Sequence, residues 1–133
     1  MPDYEEVTTP QFDKGFRKIV KKFRRADKDF NALIKTIKEN KETTRQTERI
    51  SGLGQAYETY KVYKTRMHII EVQGYLGRVI WHIDESTTTL IFLDIYLKND
   101  RENHDPLVIA QGLSEYYGEP TAEIIRVPAE DSK

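Results

Sequence analysis

With 133 residues, 38% of them hydrophobic and 32% charged, the chain is sized for one domain around one core and is too apolar to remain disordered. The absence of cysteine excludes a disulfide framework and any cysteine-ligated metal. The net charge of −1 conceals an asymmetry: residues 11–78 hold 17 Lys/Arg against 8 Asp/Glu, whereas residues 79–133 hold 4 against 11. A polyanion ligand is therefore compatible with the near-neutral total, because the field that matters is local. A promiscuous, strongly basic nucleic-acid binder is not.

The opening Met1-Pro2-Asp3-Tyr4-Glu5-Glu6 is acidic where a signal peptide needs positive charge and an apolar run. Tyr4 to Thr8 reads as a short strand. Thr9 and Pro10 then form a helix start, an N-cap followed by proline at the first helical position. Phe12, Phe16, Ile19, Val20 and Phe23 recur at three- and four-residue spacing with lysines and arginines between them, which predicts an amphipathic helix. After a break at Ala26-Asp27, the stripe Phe30, Leu33, Ile34 and Ile37 predicts a second helix, folded back on the first as a hairpin. Residues 41–55 are polar, with Ser51-Gly52-Leu53-Gly54 as the clearest turn.

The period then changes to alternation. Val62–His68, Leu76–His82 and Leu90–Lys98 read as three strands joined by hairpin-length connections, hence antiparallel neighbours in a meander. The apolar run from Leu90 to Leu97 is broken by Asp94 and is far too short to span a bilayer. Asp105 and Pro106 open a last helix with Leu107, Ile109, Ala110 and Leu113 on its stripe, and Gly118 closes it. The expected architecture is a single α+β domain over residues 1–118 with a polar tail at 119–133. Its antiparallel sheet of three to four strands has two N-terminal helices and a C-terminal helix on one face and the other face free. A cytoplasmic protein without a membrane partner is expected.

Side chains alternate faces along a strand, so Lys64, Arg66 and His68 share a side, as do Arg78 and His82, and Tyr96 and Lys98. If Val79, Trp81, Ile83, Leu93, Ile95 and Leu97 face the core, all these polar groups gather on the opposite side. Like charges facing one another across strands destabilise a sheet and need a compensating reason. An RNA phosphate is one such reason. A carboxylate is another, and Asp94 is placed to pair with Arg78.

Several segments carry no special chemistry. Trp81, Tyr60 and Tyr63 suit packing, and His68 and His82 suit hydrogen-bonded structural roles. The Gly52-Leu53-Gly54 turn lacks the lysine and helix start of a phosphate loop. The loop from Asn99 to Asp105 lacks the glycine and terminal glutamate of a calcium loop, so no metal site is expected.

The ordered set Tyr63-Lys64-Thr65-Arg66, then Gly77-Arg78-Val79-Ile80-Trp81, then Leu93-Asp94-Ile95-Tyr96-Leu97-Lys98 and the charged loop to Asn103 resembles the RelE/ParE-type toxins of bacterial type II toxin–antitoxin pairs. The resemblance runs from the Thr9-Pro10 helix start to the last helix. It implies a RelE-like fold and, for the RelE branch, ribosome-dependent cleavage of messenger RNA without metal or cofactor. In that reaction the 2′-hydroxyl attacks the adjacent phosphorus, which calls for a base, positive charge on the phosphate and an acid for the leaving oxygen. Lys64, Arg66, Arg78 and Lys98 match the family's basic positions. The family's clear enzymes also carry a tyrosine or histidine near the C-terminus, and here His104 or Tyr96 stands in for it. The implied partners are a cognate antitoxin, the ribosome and messenger RNA. The alternative is a non-catalytic binding protein of the same fold, such as a ParE-like inhibitor of DNA gyrase.

Overall fold

The computed structural model describes residues 4–40, 46–50 and 60–118. Among these, five strands and three α-helices follow as β1 (Glu5–Thr8), α1 (Pro10–Lys22), α2 (Ala26–Asn40), β2 (Thr47–Arg49), β3 (Val62–Ile69), β4 (Gly74–Asp84), β5 (Thr89–Leu97) and α3 (Pro106–Tyr117), with a 3-10 turn at Ile70–Val72. The class is α+β, as expected. The turn expected at residues 51–54 and the tail at 119–133 lie outside the described residues.

The sheet has five strands in the order β1-β5-β4-β3-β2, and it is mixed rather than antiparallel. The meander β3-β4-β5 is antiparallel, but β1 lies parallel to β5 with Val7 opposite Ile91. Parallel neighbours require a long crossover, and the chain between these two strands provides it. β2 adds an antiparallel edge beside β3. It lies in a polar stretch and has no alternating apolar signal, which is why the sequence conceals it.

α1 begins as its cap requires. Thr9 Oγ1 accepts from Phe12 N (3.2 Å) and donates to Leu93 O (3.2 Å), so the cap also ties the helix to β5. Gly15 lets α1 lie close: a Cβ there would stand 2.5 Å from Ile95 O. α2 runs back so that Lys38 near its end meets Glu6 of β1. Phe12, Phe30 and Phe92 then join at ring-centroid distances of 5.0–5.7 Å, the centre of a core that includes Ile19, Ile37, Trp81 and Ile95.

The C-terminal helix is not on that face. Ile109, Ala110 and Leu113 of α3 pack instead against Ile80, Ile91 and Leu93 on the other side of the sheet. A bulge makes this possible. Ile80 pairs with Asp94 and Trp81 with Phe92, leaving Leu93 as the extra residue. Leu93 thereby joins Asp94 on the α3 side rather than facing α1 with Ile95. Gly112 permits the contact, since a Cβ there would stand 2.6 Å from Leu93 Cδ2. Every residue of β5 is buried as a result. The sheet face expected to be free is therefore half covered by α3, and the basic groups occupy the half it leaves open.

Candidate functional site

Register defines the open half of the face. Arg66 of β3 stands opposite Arg78 of β4, which stands opposite Tyr96 of β5, so the three form one row across adjacent strands. Two residues along, Glu48, Lys64, Ile80 and Asp94 make the next row across β2, β3, β4 and β5. Lys98 lies just past the end of β5, where its N–H donates to Leu76 O (2.9 Å), and it is exposed. Alternation places it on the Tyr96 side.

Arg66 and Arg78 are like charges in direct opposition. Arg66 is exposed and Arg78 half-buried. Arg78 Nη1 donates to two carbonyls at the start of its own strand, Tyr75 O (2.8 Å) and Gly77 O (2.9 Å). Burial lowers the Arg78 pKa, and the charge of Arg66 lowers it further, while Tyr96 and Glu48 oppose the shift. That is the direction for a cation short of a counter-ion. Lys64 has one, Glu48, at 3.3 Å, though the glutamate is mostly exposed and the pair correspondingly weak.

Asp94 does not pair with Arg78. It is 1% exposed and binds Arg101 instead, with Nη2 to Oδ2 at 2.9 Å, while its Oδ1 accepts from Ile95 N. Burial raises the Asp94 pKa and Arg101 opposes the rise. Arg101 also lies over the Tyr96 ring, its guanidinium carbon 4.1 Å from the centroid. Sequence reasoning passed Arg101 over. The available signal was Asp94 itself, since an acid inside an apolar strand demands a buried cation partner.

Two polar atoms at this site are buried without a hydrogen-bond partner among the described residues: the Tyr96 hydroxyl and His104 Nδ1. Burial raises the Tyr96 pKa. Burial lowers that of His104, and the charge of Lys64 lowers it further, against Glu48 and Asp105. The loop after β5 thus brings the imidazole into the field of Lys64 and keeps it neutral near pH 7.

The other two histidines have different settings. His82 is enclosed between Lys61 O (2.8 Å, to Nδ1) and Tyr117 OH (2.6 Å, to Nε2), and burial lowers its pKa. Its bonds fasten α3 and the start of β3 to the sheet. His68 meets Tyr75 edge-on at the end of β3 and borders a cleft of about 340 Å³ against α2. Trp81 is a core residue.

The six expected site residues therefore divide by how closely they gather. Arg66, Arg78 and Tyr96 adjoin one another by register, Lys64 lies two residues away on the same face of β3, the charge of Lys64 acts on His104 in the loop, and Lys98 stands at the strand end. Together they offer what a phosphodiester needs in order to rearrange: several positive groups, an imidazole and a phenol.

No protein-family model matches the chain, and no curated protein does. Among solved structures it is similar to the archaeal RelE–RelB complex from Pyrococcus horikoshii OT3, at 15% identity and a TM-score of 0.48, over 74% of this chain and 98% of that one. It is similar also to the conserved hypothetical protein HP0892 from Helicobacter pylori, at 14% identity and a TM-score of 0.47, with the same coverage.

Proposed function

We propose that the chain is the toxin of a toxin–antitoxin pair and cleaves messenger RNA on the ribosome, without metal, by attack of a 2′-hydroxyl on the adjacent phosphate. The single observation that carries this reading is the Arg66–Arg78–Tyr96 row, with Lys64 on the same face. The residue succession resembling the RelE branch supports it independently.

In this reading Arg66, Arg78 and Lys64 bind the scissile phosphate and stabilise the charge that grows on its non-bridging oxygens. His104 accepts the 2′-hydroxyl proton as the O2′–P bond forms, and Tyr96 protonates the 5′-oxygen as the P–O5′ bond breaks. The products are a 2′,3′-cyclic phosphate and a 5′-hydroxyl. Lys98, exposed at the strand end, attracts the neighbouring backbone. The same reading gives the chain a cytoplasmic setting and an antitoxin that covers the basic face.

The test is incubation of the protein with messenger RNA in chelator, with and without ribosomes, followed by mapping of the RNA ends. Cleavage that needs ribosomes and leaves cyclic-phosphate ends is the expected result. RNA that stays intact on programmed ribosomes would overturn the reading in favour of a binding protein. In the same assay His104→Gln should lower the single-turnover rate by about 10²-fold or more with little change in ribosome binding. Because the His104 pKa is depressed, the wild-type rate should hold below pH 6.5 and fall only as the imidazole protonates. The variant should lack that limb, and an unchanged rate in it removes His104 as the base.

A further inference from the structure

Arg101 belongs to none of the basic positions that the strands supply, yet its geometry is tightly fixed. Asp100 N and Arg101 N both donate to Leu97 O, at 2.9 and 3.2 Å, which turns the chain back over β5. Asp94 and Tyr96 lie two residues apart on β5 and hence on one face. The guanidinium spans them, with one nitrogen on the Asp94 carboxylate and its plane's carbon above the Tyr96 ring. Tyr96 is 5% exposed, and its hydroxyl, in register with Arg78, has no partner among the described residues.

We propose that Arg101, anchored by the buried Asp94, is a positioning residue that clamps the Tyr96 ring so that its hydroxyl is presented to a phosphate oxygen at the Arg78 row. The proposal rests on the nuclease reading for what the hydroxyl does, though not for where it is held. The guanidinium over the ring holds it in the row, and the hydroxyl, buried and without an acceptor among the described residues, lacks a bond that an incoming phosphate oxygen can supply. The cation above the ring also favours loss of the phenolic proton, which makes the hydroxyl a better donor. The charged groups that act on Tyr96 are Arg101 from the loop, Asp94 from its own strand, Arg78 from β4 and Glu48 from β2. The two arginines lower its pKa, and burial and the two acids raise it. Burial prevails, so the phenol keeps its proton at neutral pH.

The simpler possibility is that Arg101 serves only to neutralise Asp94. NMR titration of the tyrosine ζ-carbon, with Tyr96 assigned by comparison with Tyr96→Phe, tests without any enzyme assay whether the guanidinium acts on the ring, and the cleavage cycle below separates a clamp from a scaffold role. The clamp requires Arg101→Gln to move the Tyr96 titration to higher pH and Asp94→Asn to move it to lower pH. A titration that stays in place in both variants overturns the proposal. Should Arg101→Gln fail to fold with Asp94 left unpaired, Asp94→Asn and the uncharged double variant Asp94→Asn/Arg101→Gln still decide it. The double variant removes both charges, of which Arg101 acts the more strongly on the ring, so the Tyr96 titration should still move to higher pH, and one that stays in place overturns the proposal.

Cleavage supplies the second arm. Arg101→Gln should lower kcat on the order of tenfold or more with KM little changed, and it should cost nothing further in a Tyr96→Phe background. Independent, multiplicative losses overturn the proposal, because they place Arg101 on the phosphate or in the scaffold alone. Opposite titration shifts in a protein that cuts no RNA would uphold the contact between guanidinium and ring and reject the nuclease reading.

Discussion

On the proposed nuclease reading, replacing Arg78 by alanine is expected to lower the single-turnover rate of RNA cleavage by about 10²–10³ while the domain stays folded. Arg78 is the central member of the row, flanked in register by Arg66 and Tyr96, so no neighbour can take over its place. Its Nη1 is held by the carbonyls of Tyr75 and Gly77, which fixes the plane of the fork and leaves other N–H groups to meet a phosphate. Lysine offers a point charge without that fork, so Arg78→Lys should recover only part of the rate. Stability should change little. No carboxylate pairs with Arg78 among the described residues, and removing one of two opposed cations relieves a repulsion of roughly 0.2–1 kcal/mol. Lost packing of its aliphatic stem and the loss of its bonds to the Tyr75 and Gly77 carbonyls offset that gain. Circular dichroism and urea denaturation check the fold, and rapid-quench cleavage checks the rate. A folded Arg78→Ala protein that cuts at the wild-type rate removes Arg78 from the site.

The combination of unchanged stability and lost cleavage is informative because the row is built against the sheet's own interest. Opposed arginines gain nothing for the fold, and burial, with the charge of Arg66 added to it, depresses the Arg78 pKa, no carboxylate among the described residues pairing with it. Lys64 is different, because Glu48 partly neutralises it. A second prediction about charge follows within the row: Arg66→Ala should also impair cleavage, but less, since Arg66 is exposed and lies further from Tyr96.

The caps and the helical stripes could be read directly because they are local. Thr9-Pro10, Asp105-Pro106 and Gly118 act within a few residues of themselves, and the structure uses each as a helix boundary. The meander could be read because its connections are short, and the basic row because alternation on paired strands carried Lys64, Arg66, Arg78 and Tyr96 to one side. What failed was non-local. β2 is made a strand by its partner β3, through Thr47 against Thr65 and Glu48 against Lys64, rather than by any pattern of its own. The bulge at Leu93 is a single extra residue, invisible to strict alternation, and it carried the assignment of α3 to the wrong face. The run Leu90-Ile91-Phe92-Leu93 did hold the clue: unbroken apolar residues in a strand signal cover on both faces. The Asp94–Arg101 pair depends on a loop turning back over its own strand, which spacing alone does not reveal.

The largest effect on stability should come from Trp81→Ala, a loss of about 3–5 kcal/mol. Trp81 is completely buried on the α1–α2 side of the sheet, stacked on Tyr63 at 4.7 Å between ring centroids. Its indole N–H donates to Thr65 Oγ1 (2.9 Å), and that hydroxyl is bonded in turn to Thr47 Oγ1 (2.7 Å). Alanine would leave a cavity beneath β3 and β4, and the rigid strands around it can close only part of the space. A domain of this size has roughly 5–15 kcal/mol to lose, so the variant should sit near the edge of folding. Trp81→Phe keeps most of the volume, and Thr65 keeps its bond to Thr47, so a smaller loss is expected there. Thr65 lies between Lys64 and Arg66 in the chain, and its side chain points away from the basic face. Trp81→Phe should therefore cleave RNA at close to the wild-type rate wherever it is folded. Urea denaturation should show a lowered midpoint with an unchanged slope for both variants. A Trp81→Ala midpoint close to wild type would mean that the sheet is held by the helices on either side rather than by the indole between them.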